Sequence, residues 1–344
     1  MRITLKAIAE KVGLSPATVS HVLNGNGANY SEATRKRIIE TAEELGYTPN
    51  TSAQAMRTGR SGAIALIMSN DPQKSMLQQA IATSICERLE KSRYHLILSM
   101  LPDEKLTDPS FFPSIMRNWM VDGVLIAYFN QIPKQLEELL TKQNIPSVWL
   151  NKDSRYNCVS SDDANAVKLV VAHLHDLGHQ HIAIVDYTGS SLQTNNLMRT
   201  RYDAFVEKCR DLGIQQSVWR QEGYVSRAER INLCRAELSK ENRATAVIAV
   251  SYSNALPVQI AAQTTGLELP KDLSLITFTD DRTNLGGIDI SSILVPLKSM
   301  GDRAADMLLR QIATPQKQSR SEKLDFIVNY EGTVGPCPIN CPQR

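Results

Sequence analysis

The residues best placed to do chemistry stand near the N-terminus. Leu5, Ile8, Ala9 and Val12 recur at helical spacing behind Thr4, a residue type that caps helices, and Gly13 can take the left-handed conformation that ends one. Ser15 then precedes Pro16, which suits the first position of a helix because its missing N–H has no partner there anyway. Ala17 to Leu23 extend this second helix, with Val19, Val22 and Leu23 turned inward and Pro16, Ala17, Ser20 and His21 turned outward. Two short helices about a tight glycine turn make a helix-turn-helix. Small outward side chains let the second helix enter a DNA major groove about 12 Å wide. There His21 can exchange one hydrogen bond with a guanine edge, and Ala17 can touch a thymine methyl. The chemistry is reversible reading of base edges.

Other clusters carry less. His173, His175, His179 and His181 are dense, and His175 and His179 stand four apart, but Gly178 ends the helix between them and no acidic third ligand follows at metal spacing. No phosphate-binding glycine loop, nucleophile elbow or metal-spaced His/Glu cluster is present, so neither an enzyme nor a resident metal or other cofactor is expected. Cys86, Cys158, Cys209 and Cys234 are scattered singly and read as buried thiols. Cys337 and Cys341 stand in a Pro-rich stretch, 335–344, without a second Cys/His pair, and read as part of a frayed tail. Trp149 and Trp219 read as packing residues before ring-stacking ones.

The elements that must position the second helix follow it. Ser31 can cap a third helix whose apolar face is Ile38, Ile39, Ala42 and Leu45, with Gly46 as its stop and Tyr47 packing behind. Arg35, Lys36 and Arg37 near its start make either a solvated face or phosphate contacts. Asn50 can cap a short segment, 50–58, with Ala53 and Met56 on one face, before a linker at 58–62. Residues 1–60 hold eight basic and five acidic side chains, a net charge of +3 on a chain whose total is +2. A mildly basic head on a near-neutral body fits a nucleic-acid partner.

Beyond residue 62, apolar runs alternate with helical patterns. Segments 64–68, 95–99, 123–127, 147–150, 182–186, 246–250 and 274–278 read as strands, and 325–330 as a closing one. Helices are expected over 77–91, 135–143, 164–177, 200–212 and 256–265. That alternation implies parallel sheets with right-handed crossovers, in two doubly wound lobes. No apolar run reaches the roughly 18 residues that span a bilayer, and the charged N-terminus lacks the apolar core of a secretion signal, so a cytoplasmic protein is expected.

Several blocks resemble the lactose/galactose repressor (LacI/GalR) family. In the head they are 5–9, the run from Gly13 to Asn24, 31–35, and Glu44-Leu45-Gly46-Tyr47-Thr48-Pro49-Asn50. In the body they are 121–124, Ile145-Pro146, 159–162, 173–179, 269–274 and 296–301, so the resemblance spans about 330 residues. It implies an α/β protein with an N-terminal all-α helix-turn-helix head (1–48), a hinge helix and linker (49–61), a two-lobed type I periplasmic-binding-protein-like core (62–332) and a flexible tail (333–344). It further implies a transcriptional regulator, usually a repressor, that binds a pseudo-palindromic double-stranded operator as a homodimer under the control of a small-molecule effector. Thr4, Ser15, Pro16, Ala17, Thr18, Ser20, His21 and Asn24 would face DNA, positions 16, 17 and 21 doing most of the base reading. Asn50, Ala53 and Met56 would belong to the hinge helix. Met56 replaces a family leucine that wedges into the minor groove, and either wedges likewise or packs only on protein.

In the body, Arg201 matches the family arginine that contacts effectors, and a buried guanidinium fork suits hydroxyls, carboxylate or phosphate. Asp162 matches a family aspartate near the lobe crossover, with a ligand role or a structural one. Ser251 and Tyr252 stand where the family usually has Asn-Asp, and Thr279 where it has Asp or Asn. These departures remove groups that hold vicinal hydroxyls. They point to an effector other than a typical sugar, to weak binding, or to a regulator that senses none. A transport solute-binding protein shares the core fold, but would carry a secretion signal and no helix-turn-helix.

Overall fold

The computed structural model describes residues 3–23, 27–47, 60–72, 74–110, 121–152, 154–189, 195–281, 284–285, 288–314 and 318–338. The chain separates into two compact units, Met1–Ser61 and Gly62–Arg344.

In the first unit, helices α1 (Leu5–Val12) and α2 (Pro16–Leu23), a single 3-10 turn at Gly27–Asn29 and helix α3 (Glu32–Glu44) enclose one small core. Ile8, Val19 and Ile38 are wholly buried there, with Ala9, Val12, Val22 and Ala42 around them. Each helix start has its expected cap. Thr4 accepts from the Ala7 N–H at 3.3 Å, Ser15 from Thr18 at 3.1 Å and Ser31 from Thr34 at 3.2 Å, each worth about 1 kcal/mol. Gly13 takes φ +68° at the turn. Arg37 donates to the Val12 carbonyl at 3.0 Å, tying α3 to the end of α1. Two expectations need correction. Ile39 lies off the apolar face and is exposed, because that face narrows to Ile38, Ala42 and Leu45. Ser20 points inward and is buried, since it follows Val19 on the side of α2 that meets the core.

The second unit contains two six-stranded sheets. In strand numbering by chain order, β1 (Ala63–Ser69), β2 (His95–Leu101), β3 (Gly123–Ala127), β4 (Ser147–Leu150), β5 (Cys158–Ser161) and β13 (Glu322–Leu324) build the first, in the order β13-β5-β4-β3-β1-β2. The second comprises β6 (His181–Gly189), β7 (Gln215–Glu222), β8 (Ala246–Ala249), β9 (Ser274–Thr279), β12 (Ser291–Leu294) and β14 (Ile327–Asn329), in the order β14-β12-β9-β8-β6-β7. The pair between them in sequence, β10 (Asn284–Leu285) and β11 (Ile288–Asp289), forms a separate small ribbon. Pairing in both large sheets is parallel except between β12 and β14. Strands with helices on both faces are buried on both faces, which is why β1, β3 and β8 read as unbroken apolar runs.

Helices α4 (Gln79–Glu90), α5 (Asp103–Leu106) and α6 (Lys134–Lys142) belong to the first lobe. Helices α7 (Asp163–Asp176), α8 (Asn196–Asp211), α9 (Arg227–Leu238) and α10 (Tyr252–Thr264) belong to the second. Helix α11 (Leu297–Ala313) returns to the first, burying Met300, Ala304, Met307 and Leu308 where it meets α4, β3 and β4. A Cβ on Gly301 would come within 1.9 Å of Ser84 Oγ, so α11 and α4 approach as closely as they do only with glycine there. The chain passes between lobes after β5, after β12 and after β13; the closing strand expected over 325–330 is present as β14, and β13, just before it, adds a short strand to the first sheet.

The stretch 333–344, read as a flexible tail, is docked as far as Pro338. Thr333 is fully buried and its carbonyl accepts from the Leu275 N–H at 2.8 Å, while the Cys337 N–H donates to Leu177 at 2.9 Å. His179, wholly buried, bonds Thr245 Oγ1 at 2.9 Å and the Gly335 carbonyl at 3.0 Å. His181 bonds Ser217 at 2.7 Å, and His173 stacks on Tyr330 at 3.7 Å, so these histidines serve packing and hydrogen bonding. Cys158, Cys209 and Cys234 are buried thiols as expected, whereas Cys86 is exposed on α4. Trp149 and Trp219 are buried in the cores of their lobes. No helix among the described residues is long and apolar enough to cross a membrane.

Candidate functional site

On the head, the cap at Ser15 and the buried Val19 and Val22 fix the rotation of α2. That leaves Ser15, Pro16, Ala17 and His21 exposed along its N-terminal face, with Thr18 half-buried behind Ser15 Oγ at 2.9 Å. The base-reading side chains of a helix-turn-helix come from this end of the second helix. Ser20 is buried on the core side of this helix. Thr4 caps α1 and is exposed while doing so. Of the three basic residues, Arg35 packs over Gly27, Lys36 lies near Glu40 at 3.8 Å and Arg37 binds Val12. Asn24, Asn50, Ala53 and Met56 lie outside the described residues.

A second site opens between the two lobes of the core. It is a cavity of about 120 Å³ where the carboxyl ends of β5, β8, β9 and β12 converge, a usual position for ligands in open α/β sheets. Arg201 of α8 forms its floor, with only 4% of its surface exposed. Its Nε donates to Asp163 at 2.7 Å and its Nη1 to the Val250 carbonyl at 2.8 Å, while the guanidinium lies over the Phe278 ring at 3.7 Å. Nη2 makes no hydrogen bond among the described residues, so the fork retains donors for a guest. Ser161, Ser251, Thr279, Asn151 and Gln78 supply the other polar walls, and Asp280 stands at the rim. Desolvation between the lobes pushes the Asp280 carboxyl above its ordinary value, with Arg201 pulling the other way.

The residues read from the sequence divide clearly. Arg201, Ser251 and Thr279 come together on the cavity wall. Asp162 does not line it. It caps α7, accepting from the Asn165 N–H at 3.3 Å, and its neighbour Asp163 is the carboxylate that holds Arg201. Tyr252 also lies off the wall, packing against the β6–β9 side of its lobe, while buried Asn254 orders the turn by bonding both Tyr187 N–H and Ser251 Oγ at 2.8 Å. Sequence reasoning missed Asp163, Asp280 and Phe278. The doublet Asp162-Asp163 was the available signal, since one member of such a pair at a helix start caps it and the next points along the first turn.

A further network fixes the loop after β1. Asp103, the first residue of α5, accepts from Lys74 Nζ, Ser69 Oγ and Tyr128 OH, each at 2.8 Å. Desolvation raises its carboxyl, but these hydrogen bonds together outweigh that and hold it below the usual range. Lys74, raised in turn chiefly by its bond to Asp103, is committed to this network.

Comparison with known proteins adds to this geometry. Residues 4–50 match the family model for bacterial regulatory proteins, lacI family, and residues 171–328 match a periplasmic binding protein-like domain. The chain is 27% identical over 310 residues to the HTH-type transcriptional regulator DegA of Bacillus subtilis, covering 88% of this chain and 89% of that one. It is 23% identical over 338 residues to catabolite control protein A of Staphylococcus xylosus, covering 97% of this chain and 100% of the other. Among solved structures, the lac repressor dimer bound to operator and the anti-inducer ONPF superposes with a TM-score of 0.76 at 22% identity, over 98% of this chain and 100% of that one. A transcriptional regulator CelR–cellobiose complex does so with a TM-score of 0.64 at 21% identity, over 97% and 100%.

Proposed function

We propose that this chain, whose residues 4–50 match the lacI family of bacterial regulatory proteins, is a repressor that holds a pseudo-palindromic operator as a homodimer and changes its grip when a small molecule enters the Arg201 cavity. The observation that carries the DNA half is the exposed N-terminal face of α2, presented by a capped and fully packed three-helix core. Pro16 offers no donor, Ala17 a methyl group and His21 one hydrogen bond at a time, so direct readout is sparse. Phosphate contacts and DNA shape supply much of the specificity. The homodimer is supported by apolar surface in the first lobe: Leu98 and Met100, on the strand that ends the sheet among the described residues, are each more than half exposed. An edge strand with apolar side chains can receive a second copy.

The effector half rests on Arg201, a nearly buried guanidinium with donors left over in a cavity between lobes. The chain crosses between the lobes three times, and Ser161, Val295 and Leu297 place two of those crossings on the cavity wall, so a guest touching both lobes changes the angle between them. Coupling of about 1–3 kcal/mol, a 5- to 150-fold change in operator affinity, is the usual scale. The protein acts by binding and catalyses no reaction.

The test is an anisotropy titration of a labelled duplex obtained by binding-site selection. His21→Ala is expected to weaken specific binding by about 1–3 kcal/mol while leaving non-specific binding and its salt slope unchanged. Equal loss on all sequences would move His21 from the bases to the backbone. The alternative of a regulator that senses no small molecule is favoured by one observation: Ser251, Tyr252 and Thr279 replace the polar pairs common in the family, and Tyr252 does not reach the cavity. A metabolite screen by thermal shift decides between them, since one saturable stabilisation eliminates the effector-blind reading.

A further inference from the structure

One buried carboxylate fixes both a donor and an acceptor on the cavity wall. Asp163 Oδ1 accepts from Arg201 Nε at 2.7 Å, and Asp163 Oδ2 accepts from Ser161 Oγ at 2.6 Å. Arg201 and Ser161 both line the cavity, and Asp163 stands behind them in the first turn of α7. Each of the two has part of its hydrogen-bonding capacity engaged. Arg201 gives Nε to Asp163 and Nη1 to the Val250 carbonyl, which leaves the N–H groups of Nη2. A hydroxyl carries one hydrogen and two lone pairs. The hydrogen of Ser161 goes to Asp163, so its Oγ can only accept from a guest. Neither Nη2 nor Ser161 Oγ has a further partner among the described residues.

A guest that fits this pair offers an acceptor to Nη2 and a donor to Ser161 Oγ. A carboxylate has no hydrogen to give, and would set an oxygen against the lone pairs of Ser161 and the charge of Asp163. An ammonium group has no acceptor and would face the guanidinium. The Arg201–Asp163 pair, its side chains 5% and 2% exposed, is already balanced in charge and needs no ion from a guest. A neutral carboxamide carries acceptor and donor in one rigid plane, so it loses less freedom on binding than a flexible chain of hydroxyls. Leu197, Val250, Phe278, Val295 and Leu297 give the same cavity an apolar side, which suits a hydrocarbon remainder and would leave hydroxyls unpaired.

We propose, granting that the Arg201 cavity is the effector site, that the effector presents an uncharged amide edge, open-chain or cyclic, whose carbonyl oxygen accepts from Arg201 Nη2 and whose N–H donates to Ser161 Oγ. Ser161 is then the residue that separates an amide from the matching ketone or acid. The other two hydroxyls of the wall are engaged within the protein: Ser251 Oγ accepts from Asn254 Nδ2 at 2.8 Å, and Thr279 Oγ1 donates to the Asp281 carbonyl at 3.0 Å.

The test uses the full chain and two sets of near-isosteric probes that differ in what they accept and donate. Acetamide, acetone, acetate and ethylamine form the first set; benzamide, acetophenone, benzoate and benzylamine form the second, with ethylene glycol as a hydroxyl control. Each is titrated by calorimetry and by its shift of the melting temperature. Within at least one set the amide is expected to bind about fivefold tighter than the ketone, which keeps the acceptor and lacks the donor, and the acid and amine to bind more weakly still. Ser161→Ala is expected to weaken the amide by a similar factor and to leave the ketone unchanged, a split that a purely structural role for Ser161 would not produce. The order of the probes in the unaltered chain is a readout that needs no variant. A ketone, acid, amine or ethylene glycol that binds as tightly as the amide, or an amide advantage that survives Ser161→Ala, overturns the donor–acceptor assignment and leaves the cavity as the effector site. Binding by no probe also overturns the assignment, and the metabolite screen then judges the effector site independently.

Discussion

The reading face of α2 and the wall of the Arg201 cavity are made from similar residues at very different sequence separations. In the head, every group that orients the face lies within a few positions of it: Ser15 caps, Pro16 starts, and Val19 and Val22 anchor. In the core, Arg201 is held by Asp163 from one helix, by the Val250 carbonyl from the end of one strand and by the Phe278 ring from another. A locally encoded site tolerates change elsewhere in the chain, whereas a site assembled across three elements inherits the strain of each. The two sites should therefore fail in different ways when cut.

The sharpest way to expose that contrast is Asp163→Ala. It leaves the Arg201 charge buried without its partner, and should cost the core about 3–5 kcal/mol in denaturant unfolding. Replacing the pair together, Asp163→Leu with Arg201→Met, should restore most of that stability while abolishing effector binding. A double variant as unstable as the single one would mean that packing around the pair, and not its charge, is what matters. In the head the comparable cut is Ile38→Ala, expected to cost about 2–5 kcal/mol and to remove operator binding without altering ligand-induced stabilisation of the core. Loss of both activities from that one change would erase the distinction between local and assembled sites.

A pH titration gives a smaller effect, confined to the core. Burial lowers the pKa of His179, although its bond to Gly335 partly offsets this. The folded state thus favours the neutral ring more than the unfolded state does. Its contribution to stability is complete above the unfolded value, about 6.5, and is lost as pH falls from there through the lower folded value. Unfolding followed between those limits should show a decline that His179→Gln flattens. An identical pH dependence in the variant would place the titration elsewhere.

How much of this was legible in the sequence follows the same division. Caps, the glycine turn and helical periodicity identify α1 to α3 because those signals act over one or two turns. Even there Ser20 was misassigned, since an eight-residue helix packed on two sides leaves a narrower free face than a simple inside–outside division allows. In the core, the alternation of apolar runs and helical patterns reveals two doubly wound lobes, and Arg201, Ser251 and Thr279 do converge. Asp163 and Asp280 were missed because their significance depends on contacts from residues distant in the chain. The docking of 333–338 was missed for a related reason. A Pro-rich segment without periodicity carries no local sign that His179, Ser274 and Thr245 await it.

The smallest expected effect separates cap from ligand at α7. Asp162→Ser should change core stability by less than about 1 kcal/mol, because serine caps nearly as well, and should leave effector affinity unaltered. A marked loss of affinity would return Asp162 to the effector site.

Whether this head reads DNA for a dimer under the control of the core is decided by selecting binding sites from random duplex DNA with the full chain, at one stated low salt concentration. Enrichment of a two-fold symmetric site is expected, with half-sites that weaken when His21 is replaced by alanine. Enrichment of asymmetric single sites would contradict the dimer, and no enrichment of any sequence would contradict the reading of the head as a sequence-specific DNA-binding surface.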